Sequence, residues 1–221
     1  MKIKAVLFDL DGTLIDTLAD LADAVNYALQ KKNYPPRPLC NFNMYVGDGV
    51  YKMIERALPE GEHGMDELKE LKSFFLEYYS VHLCDKTKNY PGMPELIKSL
   101  RFRGIKTAVV TNKVEESAKT MLSKLYGDVF DVIYGQRDGV STKPDPTLAH
   151  IAMRDLGVIP EECVLMGDSG VDIQTAVNSG ALPVGVKWGF RGEEELRANG
   201  AEYIISSPGE LLDIINSKEG V

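Results

Sequence analysis

The sequence predicts an α/β protein: a doubly wound parallel sheet core with a small α-helical domain inserted after the first strand. Three observations predict it. Short apolar, β-branched runs recur along the chain. Amphipathic segments with helical spacing lie between most of them. From Thr17 to about Leu83 the rhythm breaks, leaving helical patterns and no convincing strand. Alternating strands and helices imply a parallel sheet covered on both faces, and the helical interruption is long enough for a small module of its own.

The first apolar run, Ile3 to Phe8, ends at Asp9. Helical patterns then span Leu18 to Lys31, Val50 to Leu58 and Glu67 to Leu83, the first two separated by the loop Tyr34-Pro35-Pro36-Arg37-Pro38. Asp85 to Pro94 returns the chain to alternation. Strands are predicted at Ile105 to Val110, Val129 to Tyr134, Val164 to Met166, Pro183 to Val186 and Tyr203 to Ile205. Helices are predicted at Glu95 to Arg103, Glu115 to Leu125, Thr147 to Leu156, Asp172 to Ser179 and Glu210 to Ile215. Gly104, Gly157 and Gly180 stand where a helix C-cap favours glycine. The expected division is therefore a core of residues 1–15 and 85–221 and a helical cap of residues 16–84. Such a module beside strand ends suits a lid.

A formal net charge of −8 argues against nucleic acid or an anionic membrane as main partner. Phosphate would need a local positive site, either a metal or a placed lysine. The three cysteines (Cys40, Cys84, Cys163) are scattered and form no CxxC, so neither a disulfide framework nor a zinc site is expected. His63, His82 and His150 show no metal-ligand spacing. Lys2 and Lys4 precede only a short apolar run, unlike a signal peptide, and no apolar segment is long enough to span a bilayer. A cytoplasmic protein, monomer or homodimer, is expected.

Ligands of a doubly wound sheet bind at the carboxyl ends of its strands, so the residues directly after each apolar run are informative. Asp9-Leu10-Asp11-Gly12-Thr13 comes after the first and Thr111-Asn112-Lys113 after the second. Lys143-Pro144 lies in the polar loop after the third, and Gly167-Asp168-Ser169-Gly170-Val171-Asp172 comes after the fourth. One edge thus gathers four carboxylates, a hydroxyl, an amide and a lysine. Close carboxylates resist joint ionisation; a bound cation, or roles as nucleophile and acid, would explain them. Mg²⁺ takes oxygen ligands and combines one or two carboxylates with substrate phosphate. Asp9 and Asp168 are the natural pair, with Asp172 behind them. Thr111, Asn112 and Lys143 offer donors to phosphoryl oxygens.

This set of four motifs resembles that of the haloacid dehalogenase superfamily, over nearly the whole chain. The resemblance implies a Rossmann-like core, Mg²⁺ and a phosphoaspartate intermediate. It implies Asp9 as nucleophile and metal ligand, and Asp11 as general acid/base that also reaches metal through its backbone carbonyl. It further implies Thr111 and Lys143 as phosphoryl holders, with Gly12 and Asn112 beside them, Asp168 as metal ligand and Asp172 as its support. Thr111-Asn112-Lys113, Lys143-Pro144-Asp145-Pro146, Val46-Gly47-Asp48-Gly49 and Trp188-Gly189-Phe190-Arg191 look like the phosphoglycolate phosphatase branch. Gly135-Gln136-Arg137-Asp138 departs from that branch's usual Gly-Gly-Asp. The expected activity is Mg²⁺-dependent hydrolysis of a small phosphate ester, 2-phosphoglycolate foremost. A β-phosphoglucomutase-like mutase, a pyrophosphatase of the same superfamily and a non-catalytic binding protein are the alternatives. A dinucleotide-binding dehydrogenase is rejected, because the first strand-helix turn lacks GxGxxG.

Overall fold

A computed structural model describes residues 2–219. In chain order the elements are β1 (Ala5–Phe8), β2 (Ile15–Asp16), α1 (Leu18–Lys31), α2 (Phe42–Tyr45), α3 (Val50–Ala57), α4 (Met65–Tyr79), β3 (Lys88–Asn89) and α5 (Met93–Phe102). Next come β4 (Lys106–Val114), α6 (Glu115–Tyr126), β5 (Val132–Gln136), α7 (Thr147–Leu156), β6 (Cys163–Gly167) and α8 (Gly170–Ser179). The chain closes with β7 (Leu182–Val186), α9 (Glu193–Ala198), β8 (Tyr203–Ile205) and α10 (Glu210–Glu219). It forms two compact units, Asp16–Lys88 and the remainder.

The larger unit is built on a six-stranded sheet of order β5-β4-β1-β6-β7-β8, every neighbouring pair parallel. All six predicted strands are in it. Renumbered along the chain this is the order 3-2-1-4-5-6 of a doubly wound sheet, which places the topological switch between β1 and β6. Side chains alternate across a strand. On one face Ala5, Leu7, Ala108, Val110 and Leu165 pack with Leu148, Ala152 and Ala176 of α7 and α8. Val6, Phe8 and Val109, on the other, are equally buried. Both faces are covered, which is why these strands read as continuous apolar runs.

The smaller unit is helical. Leu21, Val25 and Leu29 of α1 are buried, as are Leu68, Leu71 and Phe75 of α4, each at spacings of three or four that keep one helix face apolar. The segment after α4 is fixed to the start of α1. The buried Asp20 carboxylate accepts the backbone N–H groups of Lys86 at 3.0 Å and Thr87 at 2.9 Å, and the Thr87 hydroxyl at 2.6 Å. Residues 85–88 therefore belong with the helices, four residues beyond the limit read from the sequence. No helix among the described residues is long and apolar enough to cross a membrane.

Candidate active site

The register of the central strands assembles the site. Phe8 pairs with Val109 on one side and Met166 on the other, and the Asp9 N–H donates to the Met166 carbonyl at 2.9 Å. Asp9 and Asp168, just past β1 and β6, and Thr111 within β4 therefore emerge side by side, and all three are buried.

Lys143 joins the strand ends. Its Nζ lies 2.6 Å from Asp9 Oδ1 and 2.5 Å from Asp172 Oδ1, with the lysine side chain 2% exposed. Asp172 works with both oxygens. Its Oδ2 accepts the Ser169 N–H at 3.0 Å and the Ser169 hydroxyl at 2.7 Å, the capping box that starts α8. Asp168 is held by the Thr13 hydroxyl at 3.2 Å and the Phe190 N–H at 2.8 Å. Gly12, at φ +89°, and Gly189 flank this carboxylate so closely that a Cβ at either place would overlap it.

Two expected phosphate contacts are engaged elsewhere. The Asn112 amide bonds the backbone of Lys143 in both directions, accepting its N–H at 2.8 Å and donating to its carbonyl at 3.2 Å. Asn112 therefore positions the Lys143 loop. The Gly12 N–H donates to the Ile15 carbonyl at 2.9 Å, so this glycine contributes room for Asp168. Asp11 turns to Lys113, whose Nζ donates to Oδ1 at 3.0 Å and Oδ2 at 3.2 Å. Thr111 Oγ1 accepts the Lys113 N–H at 3.2 Å, which leaves the hydroxyl hydrogen to donate. Thr13, Ser169 and Lys113 hold acids of the site but were not among the residues singled out from the sequence. Each lies within a motif read from the sequence: Thr13 in Asp9-Leu10-Asp11-Gly12-Thr13, Lys113 in Thr111-Asn112-Lys113 and Ser169 in Gly167-Asp168-Ser169.

The electrostatics come from a count of charges. Asp9, Asp168 and Asp172 share a buried site with the Lys143 ammonium. Burial, then the charge of Asp172, pushes the Asp9 carboxyl up to about 7 despite Lys143. Burial, then Asp172 and Asp9, raise Asp168 well above the usual carboxylate range. Burial works against the Lys143 ammonium, but Asp172 and Asp9 outweigh it and hold the lysine above its ordinary range. Oxygens of Asp9, Asp168 and Asp172 all lie within 4.8 Å of one another. A purely oxygen donor set with surplus negative charge fits a hard divalent cation.

The haloacid dehalogenase-like hydrolase family model matches residues 6–186. The phosphoglycolate phosphatase of Colwellia psychrerythraea is 34% identical over 215 residues, covering 95% of each chain. That of Neisseria meningitidis serogroup A is 36% identical over 219 residues, covering 96% of this chain and 93% of its own. Among solved structures, one from Lactobacillus delbrueckii subsp. bulgaricus superposes with a TM-score of 0.90 at 33% identity, covering 97% of this chain and 99% of that one.

Proposed function

The chain belongs to the haloacid dehalogenase-like hydrolases, as a phosphatase of their phosphoglycolate phosphatase-like branch, and on that premise we propose that it hydrolyses a small phosphomonoester through an aspartyl-phosphate on Asp9. The observation that carries the reading is the buried cluster of Asp9, Asp168 and Asp172 around the single Lys143 ammonium. Fold stability alone does not favour three such acids together; phosphoryl transfer uses them.

In this reading an Asp9 carboxylate oxygen attacks phosphorus while the ester P–O bond breaks, and Asp11 gives its proton to the departing alkoxide. Asp11 then takes a proton from water as that water's oxygen attacks the phosphoaspartate. The P–O bond to Asp9 breaks, releasing phosphate and restoring the Asp9 carboxylate and the protonated Asp11. Lys143 and the Thr111 hydroxyl bind phosphoryl oxygens, and the Asn112 amide fixes the loop that carries Lys143. Asp9 and Asp168 would hold Mg²⁺, with the Asp11 carbonyl as a further donor and Asp172 behind them. Bound there, the cation supplies charge neutralisation for phosphoryl oxygens. The names of the relatives support 2-phosphoglycolate as the substrate.

Inorganic phosphate release from 2-phosphoglycolate, pyrophosphate, sugar phosphates and nucleotides, with Mg²⁺ or with EDTA, tests the proposal. The expected result is metal-dependent release with 2-phosphoglycolate preferred. Preference for pyrophosphate or a sugar phosphate would move the substrate; release unaffected by EDTA would remove the metal.

A further inference from the structure

Lys113 is a half-buried cation with no part in the phosphoryl-transfer steps proposed for Asp9 and Asp11. Its side chain is 6% exposed, and it grips both oxygens of Asp11. The local backbone is shaped to bring it there. The ladder between β4 and β5 shifts between Val110 and Val114, and such irregularities re-aim side chains at strand ends. Lys113 N–H is tied to Thr111 Oγ1 at 3.2 Å. Its carbonyl is packed so closely against Gly135 of β5 that no Cβ could be accommodated there. Desolvating an ion pair offsets much of its attraction, so stability does not by itself account for a lysine here.

From this geometry we infer that Lys113 is a positioning residue, holding the Asp11 carboxylate in one orientation for the step in which it accepts a proton from water. The inference rests on the aspartyl-phosphate reading of Asp9. Hydrolysis of the phosphoaspartate is where a held carboxylate is used, so loss of Lys113 slows that step more than formation of the intermediate. A misdirected catalytic group commonly costs up to about 100-fold in rate.

The test uses p-nitrophenyl phosphate with Mg²⁺, because its leaving group departs without a proton from Asp11. Turnover is measured alongside intact mass of acid-quenched enzyme, which reports the fraction carrying one phosphoryl group. Lys113→Met is expected to lower kcat by about 10- to 100-fold and to raise the phosphoenzyme fraction, with kcat/KM, which reports formation of the intermediate, and the Mg²⁺ activation midpoint within about twofold. Lys113→Arg, which can still grip both oxygens, should recover most of the rate. Unchanged kcat in Lys113→Met overturns the inference, and so does slowing without phosphoenzyme accumulation. A lowered melting temperature with no rescue by arginine would show a structural role only and overturn it too. Asp11→Asn serves as control: if it too accumulates no phosphoenzyme, the aspartyl-phosphate reading itself fails.

Discussion

Asp20 in the helical unit and Asp9 in the sheet unit are both buried acids, 2% and 7% exposed, yet their surroundings differ in kind. Asp20 is one carboxylate met by neutral donors, the N–H groups of Lys86 and Thr87 and the Thr87 hydroxyl. Those bonds fix one chain segment to a helix start. Asp9 shares the Lys143 ammonium with Asp172 and lies in one cluster with Asp168. Burial of a charge therefore does not mark a site. A surplus of like charge that the protein leaves unmatched does, because it is costly until a ligand balances it.

The strongest way to break this comparison is to exchange the expected consequences of the two acids. Asp9→Asn should lower turnover by about 10⁴-fold or more and, by removing a charge from the crowded site, raise the melting temperature of the EDTA-treated protein. A variant with substantial kcat, or a destabilised metal-free fold, would contradict the account. Next in size, Asp168→Ala should weaken Mg²⁺ activation by about 100-fold, read from a metal titration of phosphate release. Gly12→Ala should impair the same titration through the overlap with Asp168. An unchanged midpoint would take Asp168 out of the ligand set.

Asp20→Ala should do the opposite of Asp9→Asn. It strands buried donors at a cost of about 2 kcal/mol, a fall of about 4–8 °C in melting temperature, while kcat at low temperature stays within about twofold. Loss of kcat without loss of stability would erase the distinction. The smallest effect concerns His63, also in the helical unit. Its Nδ1 faces Glu67 at 3.0 Å and its Nε2 the Pro59 carbonyl at 2.9 Å. Both partners are acceptors, so both nitrogens must carry hydrogen. The Glu67 contact, then the Pro59 carbonyl, raise the His63 pKa. The stabilisation is thus complete below the unfolded value near about 6.5 and disappears as pH rises through the raised one. Melting temperatures from pH 5 to 9 should show this small decline in the parent protein and not in His63→Gln; identical profiles would count against it.

Much of the fold was legible in the chain. The six sheet strands could be read because burial on both faces makes them unbroken apolar runs, and carboxylates directly after such runs are conspicuous. Elements too short to show a period were not legible: α9 has six residues, and β2 and β3 two each. Nor could the partners of the acids be read. Thr13 reaches Asp168 across 155 positions and Lys113 reaches Asp11 across 102, relations that exist only once β4 and β6 flank β1. Sequence names Asn112 as a donor, and only the folded loop shows its amide bound to the Lys143 backbone.

The central claim is that Asp9 carries the phosphoryl group. The most direct measurement is peptide mass mapping of Asp11→Asn enzyme quenched in acid during turnover of p-nitrophenyl phosphate with Mg²⁺. The account predicts one phosphoryl group on the peptide containing Asp9, absent when Asp9→Asn is added. Turnover with a phosphoryl group at another residue, or with none at all, would contradict it.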